Sequence, residues 1–304
     1  MKIIKVLLVL FISFSIYGGE IFRDLGFGQG FNLTALSSLE NPVHIGTLFV
    51  EEGIDKESVW RIAQWGSKYS LIDAKLQTAK NEKFYENQGK KVSIKKEKNE
   101  TILYFFIDGH EEFSNGERQQ GEDWPHLLLE QKIEPAAKIS EMKKFKLSFD
   151  IKISKPEKKK KTKYLDNLHA AQYVMFFTLQ NLNKESKGYG DFLWFGIPIY
   201  DSRHKFVPEY KAVDGGKEDA SNKYIHIFAG SLFWKKQLDD DRWHTFNSDL
   251  KKQIIEAFKD AQKQKFLKEC TLDDMYLTSM NTGWEVTGTF KVSSSLKNLK
   301  AQIE

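Results

Sequence analysis

Apolar and polar positions alternate along many short stretches of the chain. The clearest is Phe145 to Ile153 (FKLSFDIKI), where Leu147, Phe149, Ile151 and Ile153 point one way and Lys146, Ser148, Asp150 and Lys152 the other. A period of two marks a half-buried strand. Starting at Trp60–Trp65, the series includes Thr101–Ile107, His126–Ile133, Gln172–Gln180, Asp191–Asp201, Tyr224–Ala229, Met275–Met280 and Phe290–Ile303. Gly, Asn, Asp and Lys clusters separate these runs. Residues 20–60 read as mixed and turn-rich. Such a pattern predicts an all-β sandwich of the jelly-roll kind. One stretch differs. Leu250, Ile254, Ile255, Phe258 and Ala261 recur at helical spacing, which predicts one helix over 248–265, capped by Asn247-Ser248 and lying on the sandwich.

The first residues add a location. Met1-Lys2-Ile3-Ile4-Lys5 precedes an apolar run from Val6 to Ile16, and Tyr17-Gly18-Gly19 follows. A basic start, a short apolar core and a small-residue site predict a signal peptide over 1–19, cut after Gly18 or Gly19. The apolar run is well short of the ~20 residues a bilayer span needs. The expected product is exported, periplasmic or extracellular, and folds as one sandwich domain over 20–304. Cys270 is the only cysteine, so no intrachain disulfide forms and a Cys-based zinc site is excluded.

Charge narrows the partners. The chain has 46 basic and 42 acidic residues, a net charge of +4, which is not a nucleic-acid-binding profile. No membrane span is expected in the mature chain. Six lysines fall within Lys155–Lys163. They read as a solvated hairpin loop that discourages edge pairing, or alternatively as a contact for an acidic polysaccharide or an anionic surface. No cofactor is expected, and bound calcium and oligomeric state are not legible in the sequence.

The strand faces supply the chemistry. If Leu277–Glu285 is regular, Leu277, Ser279, Asn281, Gly283 and Glu285 share a small polar face that ends in a carboxylate. The alternative is that Gly283 begins a turn and Glu285 sits on a solvated rim. In Asp191–Asp201, Asp191, Phe195 and Asp201 share parity opposite Trp194 and Tyr200, and Pro198 implies a bulge or an edge. Asp201-Ser202-Arg203-His204 follows, either a site or a salt-bridged turn. Gln172, Thr178 and Gln180 make the neighbouring strand polar on one face, His169 lies just before it, and His126 and Glu130 share a face of another. Amides and carboxylates that fix hydroxyls, beside Trp faces that stack on rings, predict a carbohydrate ligand.

From Trp243 to Ile303 the order is helix (FNSDLKKQIIEAF), strand (MYLTSMNTGWEVTGTF) and final strand (FKVSSSLKNLKAQI). This resembles the end of a glycoside hydrolase family 12 domain, a concanavalin-like jelly roll. The resemblance implies that Glu285 is the general acid/base. The family's nucleophile is a Glu in an aromatic-rich strand, and its counterpart here is Asp191 in GDFLWFGIP, a departure. Asp201 is a further candidate. Trp194, Gln172, Gln180, Asn281, Arg203 and His169 are the expected sugar contacts. Two other readings stay open. A polysaccharide lyase would neutralise a uronate with Arg203 or Gln172 and use His169, His226 or Tyr200 as base. A carbohydrate-binding protein would need no reaction. Convergence of Glu285 with an Asp favours hydrolysis. Convergence of Arg203, His169 and Tyr200 favours the lyase, and a face without converging acids favours binding.

Overall fold

A computed structural model describes residues 18–36, 42–50, 57–159, 164–215 and 220–304. Most of the expected signal peptide and residues 160–163 of the lysine-rich stretch lie outside them. In chain order the strands are β1 (Gly19–Glu20), β2 (Phe31–Leu36), β3 (Pro42–Leu48), β4 (Trp60–Ala63), β5 (Gln77–Ala79), β6 (Glu82–Glu86), β7 (Lys90–Glu97), β8 (Glu100–Asp108) and β9 (His126–Lys138). Then come β10 (Phe145–Ile153), β11 (Glu157–Lys158), β12 (Ala171–Asn181), β13 (Phe192–Asp201), β14 (Tyr210–Val213), β15 (Tyr224–Ile227), β16 (His244–Asp249), β17 (Met275–Val286) and β18 (Phe290–Ile303). The helices are α1 (Gly109–Glu112) and α2 (Lys251–Lys263).

These strands form two nine-stranded sheets. The back sheet runs β16-β10-β18-β8-β7-β6-β5, with β1 and β11 also paired to β18. The front sheet runs β14-β15-β13-β12-β17-β9-β4-β2-β3. The architecture is the all-β jelly-roll sandwich that the alternation predicts. Leu147, Phe149, Ile151 and Ile153 of the back sheet and Tyr173, Met175, Phe177 and Leu179 of the front sheet are buried in one continuous core. The odd-numbered residues of β12 therefore face inward, and its even-numbered ones line the outer face of the front sheet.

Three features depart from the sequence reading. The turn-rich segment 20–60 contains β2 and β3, which pair with each other and carry the front sheet to its edge. Asn247 and Ser248 do not cap the helix, because they lie in β16, opposite Ser148 and Leu147 of β10. The Asp249 carboxylate accepts the Lys251 N–H instead, and the helix begins at Lys251. Ile254, Ala257, Phe258 and Ala261 then form its buried stripe, packed on β13 and β15. Finally, Leu277 does not share the polar face. A bulge between Leu277 and Ser279 turns Leu277 into the core and leaves Ser279, Asn281, Gly283 and Glu285 outward.

A buried charge cluster ties the loop after β4 to the back sheet. The Lys90 side chain is 0% exposed and its Nζ lies 3.6 Å from a carboxylate oxygen of Glu112 in α1. Lys90 also donates to the Ser67 hydroxyl and to the Tyr69 carbonyl, and Glu112 accepts from Ser67 and from the Lys68 N–H. Burial lowers the Lys90 pKa to about 8, against the pull of Glu112. No helix among the described residues is long and apolar enough to cross a membrane.

Candidate active site

One row of outward side chains crosses four strands of the front sheet. His126 (β9) is opposite Glu285 (β17), Glu285 is opposite Gln172 (β12), and Gln172 is opposite Asp201 (β13). Parity alone would not place Asp201 there. Opposite the Tyr173–Val174 step, β13 carries a bulge between Pro198 and Tyr200. The extra residue shifts the phase of the strand, so Tyr200 turns into the core against Trp284 and Asp201 turns out. Trp194, before the bulge, faces outward as well. Trp194 and Asp201 thus share a face that a regular strand would deny them.

Glu285 is 31% exposed and held from one side. The Trp124 indole N–H donates to its Oε2 at 3.3 Å, and the His126 Nε2 lies 3.4 Å from the same oxygen. The His126 Nδ1 lies 3.0 Å from the Trp124 carbonyl and 3.3 Å from the Trp65 carbonyl. Carbonyl oxygens only accept, so Nδ1 carries a hydrogen. Nε2 then faces the Glu285 carboxyl across that 3.4 Å. Both indoles pack beside the imidazole, Trp124 at 5.5 Å and Trp65 at 5.9 Å between centroids. The Arg118 guanidinium lies 5.0 Å from the Trp124 ring.

Asp201 is held more tightly and is 2% exposed. Its Oδ1 accepts the Arg203 backbone N–H and Nε, each at 2.9 Å. Its Oδ2 accepts Arg203 Nη2 at 2.5 Å and the Gln172 amide at 2.9 Å. This bidentate clasp fixes the direction of the carboxylate. Asp201-Ser202-Arg203 is a salt-bridged turn and, through Gln172, also part of the row.

The remaining expected residues are placed as follows. Asn281 is outward, between Glu130 and Phe176. Trp194 is outward and half-buried, meeting Phe192 at 5.4 Å and Phe176 at 6.0 Å in edge-to-face contacts. It pairs with Thr178, six residues along β12 from Gln172, or about 20 Å at the usual strand rise. Gln180 lies one step further and donates to the Gly190 carbonyl. Asp191 precedes β13 at that far end, ion-paired to Lys223 at 2.9 Å, and is not brought to Glu285. His169 does not reach the face. It is buried, its Nδ1 accepts the Leu165 N–H, and its Nε2 lies 2.8 Å from the Arg118 carbonyl, so both ring nitrogens serve the backbone. Tyr200 and His226 are buried too. The convergence that would favour a lyase is therefore missing among these residues. Gly283 is no turn. It sits within β17 at φ +154°, where a Cβ would lie 2.1 Å from the Leu127 carbonyl oxygen, and Glu285 follows it into the row.

Sequence reasoning missed Trp65, Trp124 and Arg118 as site residues. Trp65 arrives on the loop after β4, Arg118 and Trp124 on the loop between α1 and β9, and no alternation marks any of them.

A second polar row, Asn32–Arg61–Glu130–Asn281, crosses β2, β4, β9 and β17. Glu130 is 5% exposed, and the Arg61 Nη2 lies 3.7 Å away. Burial raises its pKa to about 7, against the pull of Arg61 and His126. The folded state therefore keeps a proton that the unfolded chain releases near 4.5, and stability falls as pH rises from 4.5 through 7. The expected loss from this group is about 3 kcal/mol. Urea unfolding at pH 4.5 and pH 8 should show a smaller difference for Glu130→Gln than for the native chain. Equal differences would exclude Glu130 as its source.

Among the described residues no group of three or more His, Cys, Asp or Glu is placed to hold a metal ion. No protein-family model matches the chain, and no curated protein matches it. Solved structures are similar in fold. A family 12 xyloglucanase from Bacillus licheniformis aligns with 76% of this chain and 97% of its own, at 12% identity and a TM-score of 0.39. An endoglucanase from Rhodothermus marinus covers the same shares at 11% identity and 0.38. The family 11 xylanase from Neocallimastix patriciarum aligns over 76% and 95%, at 8% identity and 0.36. Values this low leave the reaction to the geometry of the row.

Proposed function

We propose that the chain binds a glycan along the outer face of the front sheet and hydrolyses a glycosidic bond at the row of Glu285 and Asp201. One observation carries this reading: the two carboxylates flank Gln172 from strands two apart. Two strand spacings put their Cα atoms about 9.6 Å apart. Side chains leaning over the intervening strand then approach the ~5–9.5 Å range in which paired carboxylates cleave sugars. Glu285 is the proton donor, oriented by Trp124 and His126. Asp201 is the facing carboxylate, held in direction by Arg203, for attack or water activation. Trp194 with Phe176 offers a stacking platform about 20 Å along the row.

A second reading, glycan binding without reaction, is favoured by the saturation of Asp201, whose two oxygens are both bonded. Binding and reducing-end release with xyloglucan, xylan and β-glucan oligosaccharides separate the two. Release by the native chain that Asp201→Asn abolishes supports hydrolysis. Binding without release supports the second reading, and no binding to any glycan removes both.

We infer also that the product is exported, on the strength of residues 1–19 alone. Expression of the whole chain in a bacterial host should give a product outside the cytoplasm beginning at Gly19 or Glu20. A cytoplasmic product that retains Met1–Gly18 would overturn this.

A further inference from the structure

The far end of the front sheet holds a concavity. Residues 187–191, 222–223 and 265–269 enclose an open basin of about 580 Å³. Nine residues of β12 separate it from the Glu285 row, about 30 Å at the usual rise. Its size falls within the range of small-molecule sites.

The walls are rigid. The Ser186 hydroxyl donates to the Glu269 carbonyl at 2.9 Å, and the Gln262 amide donates to the Cys270 carbonyl at 2.9 Å. Gly188 packs so closely on the opposite wall that a Cβ there would lie 2.6 Å from the Cys270 Sγ. Asn222, Lys265 and Leu267 have φ of 58°, 69° and 49°, in the left-handed region. For a leucine this conformation costs about 1–2 kcal/mol. Such strain clusters where a rim must hold a particular shape.

The chemistry of the lining is one-sided. Lys187, Lys223, Lys265 and Lys268 face two carboxylates, Asp191 and Glu269. Asp191 is engaged by Lys223 at 2.9 Å, which fixes that ammonium in place. Lys265 follows the C-terminus of α2, where a cation also complements the helix dipole. That role does not account for Lys187, Lys223 or Lys268, which come from other segments or lie further on. On the rim Tyr189 is 53% exposed, an apolar ring with a polar tip beside the lysines.

We propose that this basin binds an acidic saccharide. The lysines take its carboxylate or sulfate groups, and Tyr189 stacks on the apolar face of a ring. The site is independent of the hydrolytic reading and uses none of its residues.

The test is calorimetric titration of the full mature chain with linear hexagalacturonate, at low and at physiological salt. The native chain is expected to bind, and more weakly in salt, since exposed charges are screened. The double charge reversal K187E/K268E should weaken binding by at least about tenfold, a loss of ~1.4 kcal/mol. Tyr189→Ala should weaken it less, and Glu285→Gln should leave it unchanged. Absence of binding, or K187E/K268E binding like the native chain, overturns the proposal. So does equal affinity for neutral cellohexaose, which would need no lysines. Equal affinity for hexaglutamate overturns it as well, since charge alone would then suffice. None of these outcomes touches reducing-end release at the Glu285 row, so the two readings fail separately.

Discussion

Glu285→Gln is expected to lower turnover about a thousandfold while leaving glycan affinity within about threefold. General acid–base groups contribute ~10²–10⁴ in rate, and this change removes only the transferable proton. Glutamine keeps the shape of the side chain. With its amide oxygen in the place of Oε2 it still accepts the Trp124 indole N–H, so the local packing survives. The loss should therefore fall on kcat and not on binding. Paired measurements of kcat and of Kd by titration check this. Turnover within twofold of the native value would remove Glu285 as the acid. His126→Gln should act differently, with a smaller loss of kcat, because His126 positions the carboxyl and does not deliver the proton.

Much of this site could be read before any coordinates. Strict alternation identified β10, and the polar side chains of Ser279, Asn281 and Glu285 marked one face of β17. The C-terminal helix–strand–strand order indicated the jelly roll. Local irregularity was only partly legible. Pro198 announced a bulge or an edge in FLWFGIPIYD, and the strand pairing places a bulge there, but composition does not count the residues across it. Parity therefore put Trp194 and Asp201 on opposite faces. The same limit applied to Leu277, which a bulge turns inward. Asn247-Ser248 has the chemistry of a helix cap, and only pairing with β10 makes it strand. FNLTAL and PVHIGTL are short and interrupted by small or turn-forming residues, so β2 and β3 carried too little pattern. His169 was legible as a polar residue near the site, but its role depends on two backbone partners distant in sequence or around a loop.

Glu112→Ala is expected to destabilise the fold by about 3–5 kcal/mol, the usual result of leaving a buried charge without its partner. The carboxylate faces the Lys90 ammonium at 3.6 Å and accepts from Ser67 and Lys68. With it gone, Lys90 keeps only neutral partners in a site closed to water. The pairing also shapes the alkaline side. The folded-state value of about 8 lies below the ordinary 10.5, so the unfolded chain binds more protons between those values. This group makes stability rise with pH across that window. The double variant Lys90→Met with Glu112→Ala should recover much of the loss, since an apolar side chain needs no partner there. Urea unfolding of the native chain and the two variants measures these differences. A Glu112→Ala loss below about 1 kcal/mol would show that the ion pair does not hold the loop. Because that loop carries Trp65, the single variant should also loosen the packing around His126 and reduce turnover.

The bulge at Pro198 has a consequence for how this chain tolerates change. Asp201 is directed outward by the number of residues before it as much as by its own chemistry. Were this strand regular at its present length, Tyr200 would point to solvent and the carboxylate with its arginine would be driven at the core. Ile199 is the extra residue, so a chain lacking it would keep Tyr200 inward and Asp201 outward on a straight strand. Related sequences one residue shorter here can therefore retain the row, and are best compared by counting residues across the proline before matching their types.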